Sequence, residues 1–186
     1  MATEIEAKYR LADPEAIEER LIARGGAFGG AVLESNRLYD WPDGRLAGAD
    51  RALRIRRAEA TGGEMTVTVT TKGPRRPGPL KVRDEREFHA DDADAVEAVL
   101  EALGMGCVMA FEKRRGTWTL DDCTVVVDEL PHLGHFLEIE GPDEGAVAAL
   151  ARRLGLDEDA LVPNTYVGLI SEYCEAHDRD ATAFTF

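Results

Sequence analysis

Acidic and basic residues recur at every second position in short segments of this chain. The segment TEIEAKYR, residues 3–10, places Glu4, Glu6 and Lys8 two positions apart. Side chains in a β-strand alternate between its two faces, so these three charges would share one face. Paired carboxylates can hold a hard divalent ion, while ammonium and guanidinium groups bind phosphate oxygens. The pattern therefore indicates chemistry on a phosphorylated ligand with a divalent metal ion.

The same alternation recurs along the chain, always with bases and acids on one face. The whole chain has 36 acidic and 22 basic residues, whereas the two kinds are equally frequent on these faces, which are thus richer in bases. The acids include three Glu-x-Glu pairs. The basic members are Lys8, Arg54, Arg56, Lys72, Arg83, Lys113 and Arg115, and the acidic members are Glu4, Glu6, Glu85, Glu87, Asp128, Glu138 and Glu140.

These charged faces have two interpretations. An antiparallel sheet commonly turns one face to water, and alternate charges are then ordinary surface residues. Alternatively, the strands close into a barrel whose lumen holds the charges, and helices cover the apolar outer faces. Arginine donors match the oxygens of a polyphosphate, and the remaining carboxylates could hold Mg²⁺ or Mn²⁺. The excess of bases on these faces favours the barrel.

The elements that position these residues can be predicted from periodicity and from end signals. An N-cap and proline at Asp13 and Pro14 begin a helix that ends at Gly25, and a second runs from Asp91 or Asp92 to Gly104. Helices are also predicted over 143–154 and from about Thr165 to His177. Strands are predicted over 3–10, 33–41, 51–58, 64–72, 81–88, 107–115, 116–121, 124–129 and 134–140.

Length and composition limit the class of protein. The 186 residues fit one domain, which we place at 1–177, followed by a flexible tail over 178–186. A net charge of −14 argues against a nucleic-acid partner. The three cysteines are few and widely spaced, so we expect free thiols. Without a signal peptide or a membrane-spanning stretch, we expect a cytoplasmic protein with no membrane partner. Whether two chains pair as a homodimer is left open.

A series of motifs accompanies the charged strands in a characteristic order. EIEAK contains an ExExK signature, and it is followed by LYDWPDGRLAGADRALRIRR, TTKGP, RDERE, EKRR, VVVDELPHLGHFLEIEG and NTYVGLI. Together, over roughly residues 3–173, these motifs resemble the CYTH proteins, also called triphosphate tunnel metalloenzymes. The resemblance implies an α+β fold that is mainly β: a closed eight-stranded antiparallel β-barrel with helices packed outside. Of the nine predicted strands, 107–115 and 116–121 would then form one bent strand or a hairpin.

The resemblance also implies roles for the charged residues. Glu85 and Glu87 would be metal ligands or would neutralise the arginines. Asp128 would be a metal ligand or would position water. Triphosphate binding is carried over to Lys8, Arg54, Arg56, Lys72, Arg83, Lys113 and Arg115, and binding of Mg²⁺ or Mn²⁺ to Glu4, Glu6, Asp128, Glu138 and Glu140.

The reaction implied by the resemblance has alternatives. The chain is most similar to the class IV adenylate cyclase branch, which converts ATP to cyclic AMP and pyrophosphate. Cyclases of that branch carry a His-Phe pair ahead of ExExK, and only three residues precede Glu4 here. Hydrolysis of inorganic triphosphate, a nucleoside triphosphate or thiamine triphosphate is therefore the alternative, and a non-catalytic polyphosphate or nucleotide binder is the third. Catalytic roles are expected for Asp128, Lys72 and Tyr39. The last two resemble a water-activating pair of thiamine triphosphatases, although Tyr39 could also be an ordinary strand aromatic.

Overall fold

Eight antiparallel strands close into a barrel in the computed structural model, which describes residues 2–78 and 80–186. Around the barrel the strand order is β1-β5-β4-β3-β2-β6-β7-β8, and pairing of β1 with β8 closes it. The predicted eight-stranded barrel is thus confirmed. The strands are β1 (Ala2–Leu11), β2 (Ala27–Asp40), β3 (Ala52–Ala60), β4 (Met65–Lys72), β5 (Lys81–Ala90), β6 (Gly106–Leu120), β7 (Cys123–Leu130) and β8 (Gly134–Glu140).

Two strands differ from the predicted ones by more than a residue or two at their ends. The segments 107–115 and 116–121 form the single strand β6, as the eight-strand barrel requires. Strand β2 begins at Ala27 rather than at residue 33, because the glycine-rich start pairs with β6 through a bulge between Phe28 and Gly30. Gly30 has a φ of 123°, which glycine adopts readily, so this segment continues the strand instead of forming a turn.

Among the described residues, three helices lie between strands and two follow the last strand, and four of the five begin at a side-chain cap. The carboxylate of Asp13 accepts a hydrogen bond from the Ala16 amide at 3.0 Å, as the sequence predicted for the first helix. The four-residue helix α2 was not predicted, and the Asp40 carboxylate holds its first turn by accepting from Leu46 and Ala47 amides. The helices are α1 (Pro14–Ala23), α2 (Arg45–Gly48), α3 (Ala93–Ala102), α4 (Glu144–Leu154) and α5 (Tyr166–His177), with a 3₁₀ turn at Glu158–Ala160.

The apolar faces of the strands point outward and are covered by helices. Helices α1 and α4 bury Ile17, Leu21 and Leu150 against Val125 and Ile139 of the barrel wall. Other apolar residues of the wall pack under α3. Burial of this outer surface leaves the charged faces of the strands to line the barrel interior. In the part of the chain that the structure describes, no helix has both the length and the apolar character needed to cross a membrane.

The C-terminal segment is attached to the barrel, which differs from the flexible tail that was predicted over 178–186. The amide of Phe184 donates to the Ala110 carbonyl at 3.1 Å, and the Glu112 amide donates to the Phe184 carbonyl at 2.9 Å. Both partners belong to the first half of β6. Because the segment has no regular periodicity of its own, this docking was not visible in the sequence.

Candidate functional site

A cavity of about 930 Å³ lies inside the barrel and is lined by residues from all eight strands. Its walls carry the charged faces that the sequence singled out, so the lumen interpretation of these faces is confirmed. Asp128 is fully buried beside the lining residues Lys113 and Arg115. The expected site residues that line the cavity are Glu4, Glu6, Lys8, Tyr39, Arg54, Arg56, Lys72, Arg83, Glu85, Glu87, Lys113, Arg115, Glu138 and Glu140.

Asp128 on β7 organises part of the cationic wall. Its Oδ1 accepts from Arg115 Nε at 2.7 Å, and its Oδ2 accepts from Arg115 Nη2 at 2.6 Å and from Lys113 Nζ at 3.2 Å. Arg115 Nη2 also donates to Glu138 Oε2 at 2.8 Å. This fork geometry fixes the guanidinium plane of Arg115 and keeps it charged. Asp128, although expected as a metal ligand, is thus mainly committed to orienting cations.

Glu34 is a second buried carboxylate beneath the cations, and the sequence analysis did not identify it. Its Oε1 lies 3.2 Å from Arg56 Nη1, and its Oε2 lies 3.4 Å from Lys113 Nζ. Burial alone would raise the pKa of Glu34, but Lys113 and Arg115 outweigh it and hold the pKa well below its usual range. Glu34 therefore stays ionised.

Crowding of cations changes their proton affinity. Burial and neighbouring Arg115 lower the pKa of Lys113 to about 8. Burial and Arg54 lower the pKa of Arg56 to about 10 and also lower the pKa of Lys72. Burial is the largest cause of each shift, and repulsion between neighbouring cations adds to it. An anionic ligand would relieve this repulsion.

Arg54 is aimed into the cavity with unused hydrogen-bonding capacity. Its Nη2 donates to Thr70 Oγ1 at 3.2 Å, whereas its buried Nε has no hydrogen-bond partner among the described residues. A buried donor without a partner carries a free-energy cost, so such groups generally have a function. Arg83, by contrast, uses its guanidinium to bind the Gly73 and Asp50 carbonyls and holds the loop between β4 and β5. The structure thus gives Arg83 a scaffolding contact in addition to its place on the wall.

The acidic part of the lumen centres on β1. Lys81 Nζ lies 2.9 Å from Glu4 Oε2 and 2.7 Å from Glu6 Oε1, and Lys72 Nζ lies 3.3 Å from Glu4 Oε1 and also contacts Glu85. The lysines outweigh burial and hold the pKa of Glu4 well below its usual range. Lys81 is a further member of the site. The sequence analysis assigned it no binding role, although it shares a strand face with Arg83 and Glu85.

Glu6 experiences the opposite effect from its neighbours. Burial and the charges of Glu138 and Glu4 raise its pKa to about 7, against the attraction of Lys81. Glu140 pairs directly opposite Glu6 in the β1–β8 ladder, and burial together with Glu4 raises the pKa of Glu140. The pKa of Glu138 is lowered to about 2, because the charges of Lys8 and Arg115 outweigh the effect of burial. The carboxylates are therefore close enough to repel one another.

The residues fit a hard divalent ion in their chemistry. All donors are carboxylate oxygens, and the buried Oε2 of Glu4 has no aligned hydrogen-bond donor within the described chain, although Lys81 is near. Over residues 2–78 and 80–186, no three His, Cys, Asp or Glu side chains already converge as a metal centre. Lys81 lies between Glu4 and Glu6, so a metal ion would have to replace its ammonium group.

Tyr39 does not form the expected pair with Lys72. Inward-facing residues of β2 have even numbers, so Tyr39 borders the cavity but turns its side chain outward among Ile55 and Val67 beneath α3. Burial and hydrogen bonding to Glu97 raise its pKa. Lys72 instead pairs with Glu4 and Glu85. The strand alternation of β2 therefore favours the interpretation of Tyr39 as an ordinary strand aromatic.

Comparisons with known proteins agree with this architecture. A family model for the CYTH domain matches residues 2–166. Adenylate cyclase CyaB of Aeromonas hydrophila is 30% identical over 177 residues, which cover 88% of this chain and 86% of that protein. The structure of PH1819 protein from Pyrococcus horikoshii OT3 has a TM-score of 0.79 at 26% identity and covers 91% of this chain and 99% of its own.

A third comparison concerns the fold alone. The structure of HpAC1 from Hippeastrum, described with a dominant triphosphatase activity, has a TM-score of 0.66 at 17% identity. It covers 95% of this chain and 96% of its own. Since the CYTH family model spans nearly the whole sequence and the barrel is the one these proteins share, this chain belongs to the CYTH domain family.

Proposed function

We propose that the protein is a divalent-metal-dependent enzyme that acts on a triphosphate in the barrel lumen, and that it is an adenylate cyclase of the class IV type. The observation that carries this proposal is that basic and acidic side chains line the same cavity. Arg54 has a buried donor without a partner, and Glu4 has a buried oxygen without an aligned donor. A polyphosphate would supply the missing partner of Arg54, and a metal ion would take the place of the Lys81 ammonium beside Glu4.

The chain's own residues divide into two groups in this function. Lys8, Arg54, Arg56, Lys113 and Arg115 would bind the phosphates, and Glu4, Glu6, Glu138 and Glu140 would hold Mg²⁺ or Mn²⁺. The metal ion, when bound, would supply Lewis-acid stabilisation of the charge on the phosphate oxygens. Phosphoryl transfer depends mostly on positioning and charge neutralisation, which this arrangement of cations provides.

In the cyclase reaction, the ribose 3′-hydroxyl oxygen forms a bond to the α-phosphorus. The bond from that phosphorus to the bridging oxygen breaks, and pyrophosphate leaves with the bonding electron pair. Lys72 is the proposed acceptor of the hydroxyl proton, because it lines the cavity and because burial and Arg54 lower its pKa, so that its deprotonation costs less free energy. The likeness to CyaB supports this reaction, since it covers most of both chains.

The alternative is a triphosphatase, in which water attacks the γ-phosphorus. The same cations and carboxylates would serve that reaction, and HpAC1 demonstrates that a triphosphatase can have this fold.

The two reactions are distinguished by incubating the purified protein with ATP or tripolyphosphate and Mg²⁺ or Mn²⁺ and then separating the products. Cyclic AMP with pyrophosphate indicates the cyclase, and orthophosphate indicates the triphosphatase. Binding without either product would contradict both and leave a non-catalytic binder.

Removing one carboxylate charge tests the metal site. We expect Glu6→Gln or Glu138→Gln to abolish turnover while the circular dichroism spectrum stays unchanged, because the metal ion loses an anionic ligand. Glu59→Gln is a matched control, since Glu59 is exposed on the outer face of β3. Retention of full activity by Glu6→Gln and Glu138→Gln would remove both residues from the metal site.

A further inference from the structure

Tyr166 is a cavity-lining residue with charged groups on several sides. It is the first residue of α5, and only 8% of its surface is exposed. Its ring centroid lies 3.9 Å from Lys8 Nζ and 5.2 Å from Lys113 Nζ. Its hydroxyl donates a hydrogen bond to Asp128 Oδ2 at 2.8 Å. One side chain therefore contacts three of the charged groups in the lumen.

The ring and Lys8 form a cation–π contact. An ammonium group over an aromatic face is attracted by the negative potential of the ring, and the attraction is stronger where water is excluded. Lys8 is itself buried, and its Nζ also donates to the Asn164 carbonyl at 3.2 Å and lies 3.4 Å from Glu138 Oε1. The segment that leads into α5 thus supplies two of the groups that fix this ammonium.

The hydroxyl acts on Asp128 independently of the ring. Asp128 Oδ2 already accepts from Lys113 at 3.2 Å and from Arg115 at 2.6 Å, and Tyr166 is a third donor to the same oxygen. Three donors, two from β6 and one from α5, restrict the rotation of the carboxylate. Because Asp128 in turn orients Arg115, the Tyr166 hydroxyl also affects the orientation of the Arg115 guanidinium through Asp128.

Tyr166 is held rigidly enough to position other groups. The Thr165 hydroxyl caps α5 by accepting from the Gly168 amide at 3.1 Å, and the Val162 amide donates to the Lys8 carbonyl at 2.7 Å. The rings of Phe136 and Tyr166 pack edge to face with centroids 5.4 Å apart. Both the backbone and the ring are therefore constrained.

We propose that Tyr166 is a positioning residue of the lumen, whose ring orients the Lys8 ammonium and whose hydroxyl orients the Asp128 carboxylate. This inference rests on the proposed function in so far as the oriented groups bind a triphosphate. Helix α5 thereby sets the geometry of the phosphate-binding wall, although its first residue carries no charge.

Two substitutions separate the ring from the hydroxyl. Tyr166→Phe keeps the ring and should leave the Kd for tripolyphosphate, measured by calorimetry, within about twofold. It should lower kcat about tenfold at unchanged KM, because Asp128 loses a hydrogen bond to a charged group. Tyr166→Leu should weaken tripolyphosphate binding about tenfold or more. Tyr173→Leu is the matched control on the same helix, since Tyr173 stacks on His132 and His177, and it should change neither constant.

A readout without ligand keeps the test independent of the proposed function. In NMR spectra of the free protein, the ring current of Tyr166 should shift the ε-methylene protons of Lys8 upfield. The upfield shift should persist in Tyr166→Phe and be lost in Tyr166→Leu, and Lys8→Arg identifies the signal. An unchanged Lys8 shift in Tyr166→Leu, or equal Kd values for Tyr166→Leu and the wild type, would overturn the proposal. If the wild type binds no tripolyphosphate but the Lys8 shift behaves as expected, the proposed function fails while the positioning contact stands.

Discussion

At the residue scale, the lumen depends on buried carboxylates that orient cations as much as on the cations themselves. Glu34 is 2% exposed and approaches Arg56, Lys113 and Arg115. Removing one partner from a buried ionic group leaves the others uncompensated, and this costs more than the group contributes when intact. Glu34 is therefore a residue at which a single change in charge should clearly affect stability.

We expect Glu34→Gln to lower the free energy of unfolding at pH 7 by about 3–5 kcal/mol, because three cations lose a shared counterion. Urea unfolding followed by circular dichroism measures this difference. The exposed Glu59→Gln serves as the control and should stay within about 0.5 kcal/mol of the wild type.

The same variant has a defined pH dependence. The cations hold the folded-state pKa of Glu34 below its ordinary value of 4.5, so its stabilising contribution is present above that pH and declines as the pH falls toward the folded value. The difference in stability between wild type and Glu34→Gln should therefore narrow below about pH 4.5. A difference that stays constant from pH 7 to pH 3.5 would show that Glu34 is not ionised against these cations.

At the scale of elements, β6 is longer than its neighbour on one side. Its residues Gly106–Leu120 pair with β2 over nearly the whole length, whereas β7 pairs only with the half from Arg114 onward. The C-terminal segment covers the remaining edge through hydrogen bonds to Ala110 and Glu112. An unpaired strand edge exposes backbone groups that favour association, so this cover protects the barrel.

Two phenylalanines near the C-terminus allow a matched test of that cover. Phe184 is 2% exposed and belongs to a cluster with Phe111 and Phe136, whereas Phe186 is 46% exposed. We expect Phe184→Ala to lower stability by about 3–5 kcal/mol and the Tm by roughly 10 °C. Phe186→Ala should change the Tm by only about 2 °C. Differential scanning calorimetry gives both values, and equal effects would contradict the docking of this segment.

Strand alternation predicted most of these elements and most of the lumen. It placed Glu4, Glu6 and Lys8 on one face, because a period of two is a local property of the chain. It did not identify Glu34, since an isolated glutamate on a strand has the same local signal whether it faces water or a lumen. Tyr166 carries no charge pattern, and the docking of 178–186 depends on an edge of β6 that exists only after the barrel has closed.

At the scale of the whole molecule, a chain of net charge −14 encloses a lumen in which several buried cations lie close together. Low-dielectric walls concentrate the field of these cations, which favours entry of an anion despite the acidic exterior. Ligand binding to the folded state alone also stabilises it. The thermal stability of the barrel should therefore report occupancy of the lumen by phosphates.

We expect tripolyphosphate at about 100 times its Kd to increase the free energy of unfolding by about 2.7 kcal/mol and to raise the Tm by roughly 5–10 °C. Orthophosphate at the same concentration should give a smaller increase, because it contacts fewer of the cations.

The increase in Tm caused by tripolyphosphate should become smaller as the pH rises from 7 to 9, since Lys113 has a pKa of about 8 and loses its positive charge over this range. In Lys113→Arg, whose guanidinium stays charged, tripolyphosphate should raise the Tm by the same amount at pH 7 and at pH 9. Differential scanning fluorimetry measures these increases in Tm. If the increase for the wild type is also the same at pH 7 and pH 9, the Lys113 proton does not contribute to binding.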